Sequence, residues 1–347
     1  MRVHASILGH FGEGKNLLNG QTVKTKTFTE ALQNHFGQDQ VLKFDTHGGR
    51  KTLLKAPFQV FQALRRSSDV LIFPAHNGLR VYAPLLSFQK LFFKNRKIHY
   101  VVIGGWLPQF ISGRKGLARS LKKFDGIYVE TNTMKRALES QGFDNVLVIP
   151  NCKKLNVLSE NELVYPSSFP YRLCTFSRVM KEKGIEDAVN AVVAVNESIG
   201  FQAFSLDIYG QVDDFQAEWF ENLQRTFPSY IRYGGLVPFE KSVEVLKKYF
   251  ALLFPTHYEG EGFAGTLIDA YSAGVPVIAS DWKYNSEVVN GDVGYIYSTG
   301  NHTEFVALLR EIAENPTMLL GKKRNCLMEA EKYKVDKAIM ILIDHLN

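Results

Sequence analysis

Two acidic residues eight positions apart, Glu261 and Asp269, bracket the stretch Gly262-Phe263-Ala264-Gly265-Thr266. It leads from an apolar run ending at Pro255 into a helix-forming segment. A helix opening at Thr266 turns its unpaired backbone amides and the positive end of its dipole outward, the geometry of a phosphate site. Asp269 then lies about one turn in and faces a ligand if Leu267 and Ile268 face the core. Acids beside a helix start also serve as plain caps, and these residues alone leave both readings open.

Upstream, Phe176-Ser177-Arg178-Val179-Met180-Lys181-Glu182-Lys183-Gly184 follows another apolar run. Arg178 offers a planar fork and Lys183 a point charge, and the two converging above a strand end suit a diphosphate. The same pair alone is also what a solvated basic loop contains. Near the N-terminus Gly9-His10-Phe11-Gly12-Glu13-Gly14-Lys15 fits the pattern G-x-x-x-x-G-K. Asn16 stands where a phosphate loop needs a Ser or Thr hydroxyl, and Leu17-Leu18-Asn19-Gly20 breaks the helix that should begin there. Gly12, Gly14 and Gly20 read better as one flexible connection, with a helix opening at Gln21 or Thr22. Backbone amides at Gly20 and Gln21 can then meet a phosphate or sugar, or the segment is a plain loop.

The elements that must position these residues alternate. Apolar, β-branched runs at 3–8, 70–73, 98–103, 126–129 and 146–149 predict strands, with helical patterns at 22–35, 57–67, 83–93 and 133–141. The pattern loosens over 157–171, where prolines and serines predict a linker. A second alternation covers 172–177, 185–195, 204–209, 230–233, 241–249, 251–255, 266–273 and 275–279. The expected fold is α/β, two Rossmann-like doubly wound units with ligands beyond the carboxyl ends of their strands, facing a shared cleft.

With 347 residues and 45% hydrophobic composition the chain is long enough for two cores. Ordinary Gly and Pro contents exclude collagen-like, coiled-coil and disordered classes, and no apolar run approaches the ~18 residues of a membrane span. Three scattered cysteines and no secretory signal pattern predict a cytoplasmic protein without disulfides. Residues 1–160 hold 24 Lys and Arg against 10 Asp and Glu; the remainder holds 17 against 25. That asymmetry predicts an anionic partner for the first half.

Together these motifs resemble the retaining glycosyltransferases of GT-B architecture, specifically family 4 (GT4). Glu261 matches the first acid of that family's E-x7-E signature, and Asp269 stands where the second Glu usually is. Arg178 and Lys183 match its G-R-x4-K-G element, with Ser177 in place of the first Gly. The likeness continues through Gly210, Gly234-Gly235-Leu236-Val237-Pro238 and Gly274-Val275-Pro276, while Asn151-Cys152 stands where the family has Asn-Gly. The resemblance implies an acceptor-binding domain over 1–160, a donor-binding domain over 170–328, and a tail over 329–347 crossing back to the first.

It also implies roles. Arg178, Lys183 and the amides of Phe263 to Thr266 would neutralise the departing diphosphate of a nucleotide sugar, where other transferases use a metal, so no metal or other cofactor is expected. Glu261 would bind the donor sugar's hydroxyls and Asp269 the ribose, with backbone near Gly210 and Pro238 contacting the base. Many relatives carry a His after the strand that corresponds to 98–103; here that place reads Gly104-Gly105-Trp106. Trp106 would stack on an acceptor sugar or simply pack in a tight turn, and His76 would face the cleft or be incidental. His257 has no evident partner and is read as structural.

Residues 85–97 and 113–124 mix cations with aromatics or leucines. They suit an anionic bilayer surface, or pack an apolar stripe on the sheet. The expected function is metal-independent, retaining transfer from a nucleoside-diphosphate sugar, UDP-linked by preference, to a glycan or lipid-linked glycan in bacterial surface polysaccharide synthesis. The expected place is the cytoplasm, peripheral at the inner membrane face. The rivals are a P-loop phosphohydrolase resting on Gly9–Lys15 and a nucleic-acid-binding protein, which lacks interleaved aromatics or a helix-turn-helix pattern.

Overall fold

The computed structural model describes residues 2–12, 14, 20–48, 50–154 and 156–346, with Arg50, Lys51 and Leu53 described for their backbone alone. Lys15 and Asn16, on which the phosphate-loop reading turns, lie outside the described residues. The chain divides into two units, Met1–Lys154 with Lys334–Asn347, and Leu155–Tyr333.

The first unit carries a six-stranded sheet of β1 (Val3–Gly9), β2 (Val41–Asp45), β3 (Ser67–Ile72), β4 (Lys97–Val101), β5 (Gly126–Val129) and β6 (Val146–Val148), in the order β2-β1-β3-β4-β5-β6. The second carries β7 (Tyr171–Phe176), β8 (Phe204–Tyr209), β9 (Ile231–Gly235), β10 (Ala251–Phe254), β11 (Val277–Ser280) and β12 (Gly294–Tyr297), in the order β12-β11-β10-β7-β8-β9. All the pairings are parallel. Central strands covered on both faces read as continuous apolar runs, which is why they were legible. Of the four edge strands, β6 and β9 were still marked, whereas β2 and β12 are partly covered and their mixed sequences gave no strand signal.

Each sheet reverses its direction of growth once, between β1 and β3 in the first and between β7 and β10 in the second. Loops leaving the carboxyl ends of those neighbours diverge to opposite faces and open a crevice where ligands bind.

Two helices begin earlier than predicted, Arg50–Arg66 and His76–Gln89, with Pro57 and Pro84 inside them. Proline usually opens a helix, but here buried residues on both sides of each ring, Ala56 and Val60 in one and Leu79 and Leu86 in the other, hold it in the helix interior. The stretch expected to be a linker is anchored at its start and runs mostly exposed and without helix or strand from 163 to 170. Ser159 and Glu162 form a capping box around the turn Glu160–Glu162, Leu158 N donates to Ser272 O at 2.9 Å, and Val157 and Leu158 join the core of the second unit. The last helix, Val335–Ile343, buries Ala338, Ile339 and Leu342 with Phe28 and Leu32 in the first unit's core.

Asp207 on β8 ties the second sheet together. It accepts from Arg172 of β7 at 2.8 Å, from Arg232 of β9 at 2.5 Å and from Tyr249 before β10 at 2.5 Å. Burial pushes its pKa up, but these charged and phenolic donors outweigh that and hold it below the usual carboxylate value. No helix among the described residues is long and apolar enough to cross a membrane.

Candidate functional site

The second crevice is built by close backbone approach. Gly184 sits at φ 69°, and a Cβ there would lie 2.1 Å from Pro255 O, so glycine lets the loop after β7 rest on the end of β10. His257 N completes the junction by donating to Glu182 O at 2.8 Å. Lys183 is thereby brought over the strand ends, where its Nζ donates to Glu261 Oε2. The two side chains are only 12% and 9% exposed. Thr256 Oγ1 donates to the same carboxylate oxygen at 3.0 Å, and Ser280 Oγ, at the end of β11, donates to Thr256 O at 2.6 Å. The ammonium also lies 4.9 Å from the Tyr258 ring centre.

Directly after Glu261 and the buried Gly262 and Phe263, the helix Gly265–Ser272 begins, one residue before the predicted start, with no side-chain cap at Ala264. Its Thr266 hydroxyl is buried and finds no hydrogen-bond partner among the described residues. A buried, unpaired hydroxyl carries a desolvation cost. Asp269 is not turned outward. It is 3% exposed, inside the protein together with Leu267 and Ile268, and Ser242 Oγ lies 3.4 Å from its Oδ1. The helix packs against Ser242–Leu246 and Lys323–Ala330.

Arg178 and Lys183 do not meet on one point. Arg178, more than half exposed, pairs with Asp213 Oδ2 at 3.5 Å, while Lys183 is held by Glu261. Gly210, at φ 140°, lets its loop touch Ser177 O, 1.7 Å from where a Cβ would lie. Its amide donates to Gly235 O at 3.0 Å and its carbonyl accepts from Tyr233 at 2.7 Å. Pro238 precedes the turn Phe239–Lys241 and its carbonyl accepts from Lys241 N.

In the first unit, Gly20 and Gln21 open the helix Gly20–Phe36, and Gln21 Nε2 donates to Phe73 O at 3.1 Å across the crevice between β1 and β3. Gln21, His10 and His76 line an open cavity of about 250 Å³. The His76 and Trp106 rings meet at a tilt of 30°, ring centres 3.9 Å apart, with Phe110 edge-on to both. Trp106 Nε1 donates to Ile103 O at 2.8 Å, and Gly104, at φ 81°, makes the turn preceding Gly105 and Trp106. Burial first, then the positive charges of Arg80 and Arg114, lower the His76 pKa.

A further set escaped the sequence reading. His10 Nδ1 lies 2.8 Å from Thr22 Oγ1, and His10 Nε2 lies 2.8 Å from His47 Nδ1. Asp45 holds the loop by accepting from Phe11 N and His47 N. The signal was a histidine after each of two neighbouring strands, visible only once β2 is recognised. Burial, then His47, lower the His10 pKa. Among the described residues no group of three or more His, Cys, Asp or Glu is placed to hold a metal ion, and Cys152, Cys174 and Cys326 are buried and unbridged.

Residues 170–315 match the sequence family described as Glycosyl transferases group 1. The UDP-N-acetylglucosamine–peptide N-acetylglucosaminyltransferase GtfA subunit of Streptococcus gordonii is 28% identical over 218 residues, 61% of this chain and 42% of that protein. The chain thus matches less than half the length of such curated relatives. Sucrose-phosphate synthase from Thermosynechococcus elongatus superposes with TM-score 0.76 at 14% identity, over 99% of this chain and 98% of that one. The Anabaena protein HepE in complex with UDP superposes with TM-score 0.75 at 11% identity, over 99% of both. At such identities these likenesses establish the fold. The chain therefore has the GT-B architecture of two Rossmann-like units, and its second unit is similar to the group 1 glycosyltransferases.

Proposed function

We propose that the protein is a retaining glycosyltransferase of the GT4 type that uses a nucleoside-diphosphate sugar, with UDP as the nucleotide. The observation that carries this reading is the junction of Lys183, Glu261 and the start of the helix Gly265–Ser272 at the β7–β10 crevice. A cation and a carboxylate meet there, and four residues after the carboxylate begins an uncapped helix whose Thr266 hydroxyl has no partner among the described residues. Anionic oxygens suit the ammonium and the amides, while sugar hydroxyls suit the carboxylate. The match to group 1 glycosyltransferases over this unit supports it, as does the UDP named for the HepE complex and the UDP-sugar in the GtfA name.

In this reading Lys183 exchanges Glu261 for the diphosphate, helped by Arg178 and by the Phe263–Thr266 amides. Glu261, still held by Thr256, then accepts from the donor sugar's hydroxyls. Asp269 takes the ribose through a small shift from its buried position, and backbone near Gly210 and Pro238 borders the base. The acceptor oxygen forms its bond to the sugar's anomeric carbon on the face from which the phosphate departs. The bond from that carbon to the phosphate oxygen breaks, and the acceptor's proton passes to the departing phosphate. Charge stabilisation comes from fixed side chains and amides rather than a metal.

The first unit, in this reading, holds a glycan or lipid-linked glycan acceptor, with Trp106 and His76 forming an aromatic platform. Assembly of a bacterial surface polysaccharide is the proposed setting, with the protein in the cytoplasm. A thermal-shift panel of nucleoside diphosphates and their sugars tests the reading: a ligand at a hundredfold excess over its Kd stabilises by about 2.7 kcal/mol. UDP is expected to stabilise the protein equally with and without EDTA. No shift with any nucleotide would refute the proposal, and magnesium-dependent ATP turnover lost in Lys15→Ala would favour the phosphohydrolase.

A further inference from the structure

The helices Arg50–Arg66 and His76–Gln89, with the turn Lys90–Phe92 that follows, lie side by side on the first unit. Gln89 Nε2 donates to Pro57 O at 3.2 Å, and the Phe61 and Phe93 rings meet edge to face at 5.6 Å. The inner faces bury Val60 and Leu64, and Leu79 and Leu86. The outer faces are apolar too. Leu54, Phe58 and Phe61 recur at helical spacing and are 83%, 64% and 43% exposed; Phe88, Leu91 and Phe92 are 61%, 58% and 73% exposed. So many large apolar side chains on one adjacent pair of elements exceed the scattered hydrophobes of an ordinary surface and mark an interaction site.

Charge identifies the partner. Residues 50–97 contain ten Lys and Arg and one acid, Asp69, which is buried. Leu91 and Phe92 border a cavity of about 430 Å³ whose lining includes Arg2, Lys94 and Arg96 and no carboxylate. Arg96 is fixed there by its Nε donating to Leu64 O at 2.9 Å. A second copy of this face would set these cations against their own kind, which disfavours a symmetric dimer. The other basic stretch, 113–124, is not part of such a surface, because Leu117, Leu121 and Phe124 are buried.

We propose that this face seats on an anionic lipid bilayer, with Leu54, Phe58, Phe61, Phe88, Leu91 and Phe92 entering the headgroup region and Arg2, Lys94 and Arg96 receiving a lipid phosphate. The inference rests on this surface and is independent of the transfer reaction. The test is co-sedimentation of the chain with phosphatidylcholine vesicles, with and without about 30% phosphatidylglycerol. Binding is expected to the anionic vesicles alone and to weaken in about 0.5 M NaCl. Phe58→Ser/Phe92→Ser is expected to lose at least about tenfold in binding and Lys94→Glu about fivefold or more. These side chains are exposed, so the melting temperature and the UDP-induced shift should stay unchanged. Unaltered binding by both variants, equal binding to neutral vesicles, or no binding by the parent would overturn the proposal. A concentration-dependent dimer abolished by Phe58→Ser/Phe92→Ser, without vesicle binding, would also overturn it and give the face to a second copy. Vesicle binding that follows this pattern in a protein with no nucleotide shift would sustain this inference and sink the transferase reading alone.

Discussion

Lys183 and Glu261, 78 residues apart in the chain, form a nearly buried ion pair across the β7–β10 crevice. Removing one partner leaves the other charged in a poorly solvated place, a loss of about 3–5 kcal/mol for buried pairs. Lys183→Met should therefore melt well below the parent, and Lys183→Met/Glu261→Gln should recover much of the loss. Both should fail to bind UDP in calorimetry. A double variant that still binds UDP as the parent does would take Lys183 out of the site.

The two acids should separate kinetically. Glu261→Ala is expected to cripple sugar transfer while UDP binding survives, because its contacts are to the sugar. Asp269→Ala should weaken UDP binding itself. Transfer assays beside calorimetry measure both, and the reverse pattern would mean the two roles are exchanged.

Thr266→Val replaces a buried, unpartnered hydroxyl by a methyl group of similar shape. Stability should hold or rise by about 1 kcal/mol, since an unmet polar group disappears. UDP affinity should fall about tenfold, the worth of one lost hydrogen bond to a charged group. A melting scan and a titration of the same sample decide it; unchanged affinity would place the hydroxyl outside the site.

Gly184→Ala puts a Cβ onto Pro255 O at a positive φ. The strain is about 1–3 kcal/mol, and relief requires the two loops to part. Denaturant unfolding should show that loss, and UDP affinity should drop with it because Lys183 moves with its loop. A variant as stable and as tight-binding as the parent would disprove the backbone contact.

Lys323 is fully buried, with its Nζ 3.3 Å from Tyr249 O, and burial lowers its pKa to about 8. Between about pH 8 and the ordinary lysine value near 10.4, the unfolded chain holds a proton that the folded chain has released. Stability contributed by this group therefore rises with pH through that window, by about 3 kcal/mol in all, and the full burden is present below pH 8. Lys323→Met should remove that rise and be more stable than the parent at pH 7. Parallel pH series of chemical unfolding for the two proteins measure it, and superimposable profiles would refute it.

Much of this molecule is written in local sequence. The strands inside each sheet are short apolar runs because parallel strands are covered on both faces, so β1, β3 to β5, β7, β8, β10 and β11 were each marked by composition alone. Glu261, Lys183 and the turn into Gly265–Ser272 were legible because residue types and glycine spacing near a strand end carry their own chemistry. Tertiary structure decided the rest. The strands β2 and β12 have a mixed pattern that gave no signal, and without β2 the pairing of His10 with His47 could not be seen. That Lys183 pairs with Glu261 while Arg178 turns to Asp213, and that Asp269 is buried rather than open, follow from backbone approach at Gly184 and Gly210 and from packing around one short helix. Those contacts join segments far apart in the chain, and a periodicity read along one segment holds no information about what another brings against it.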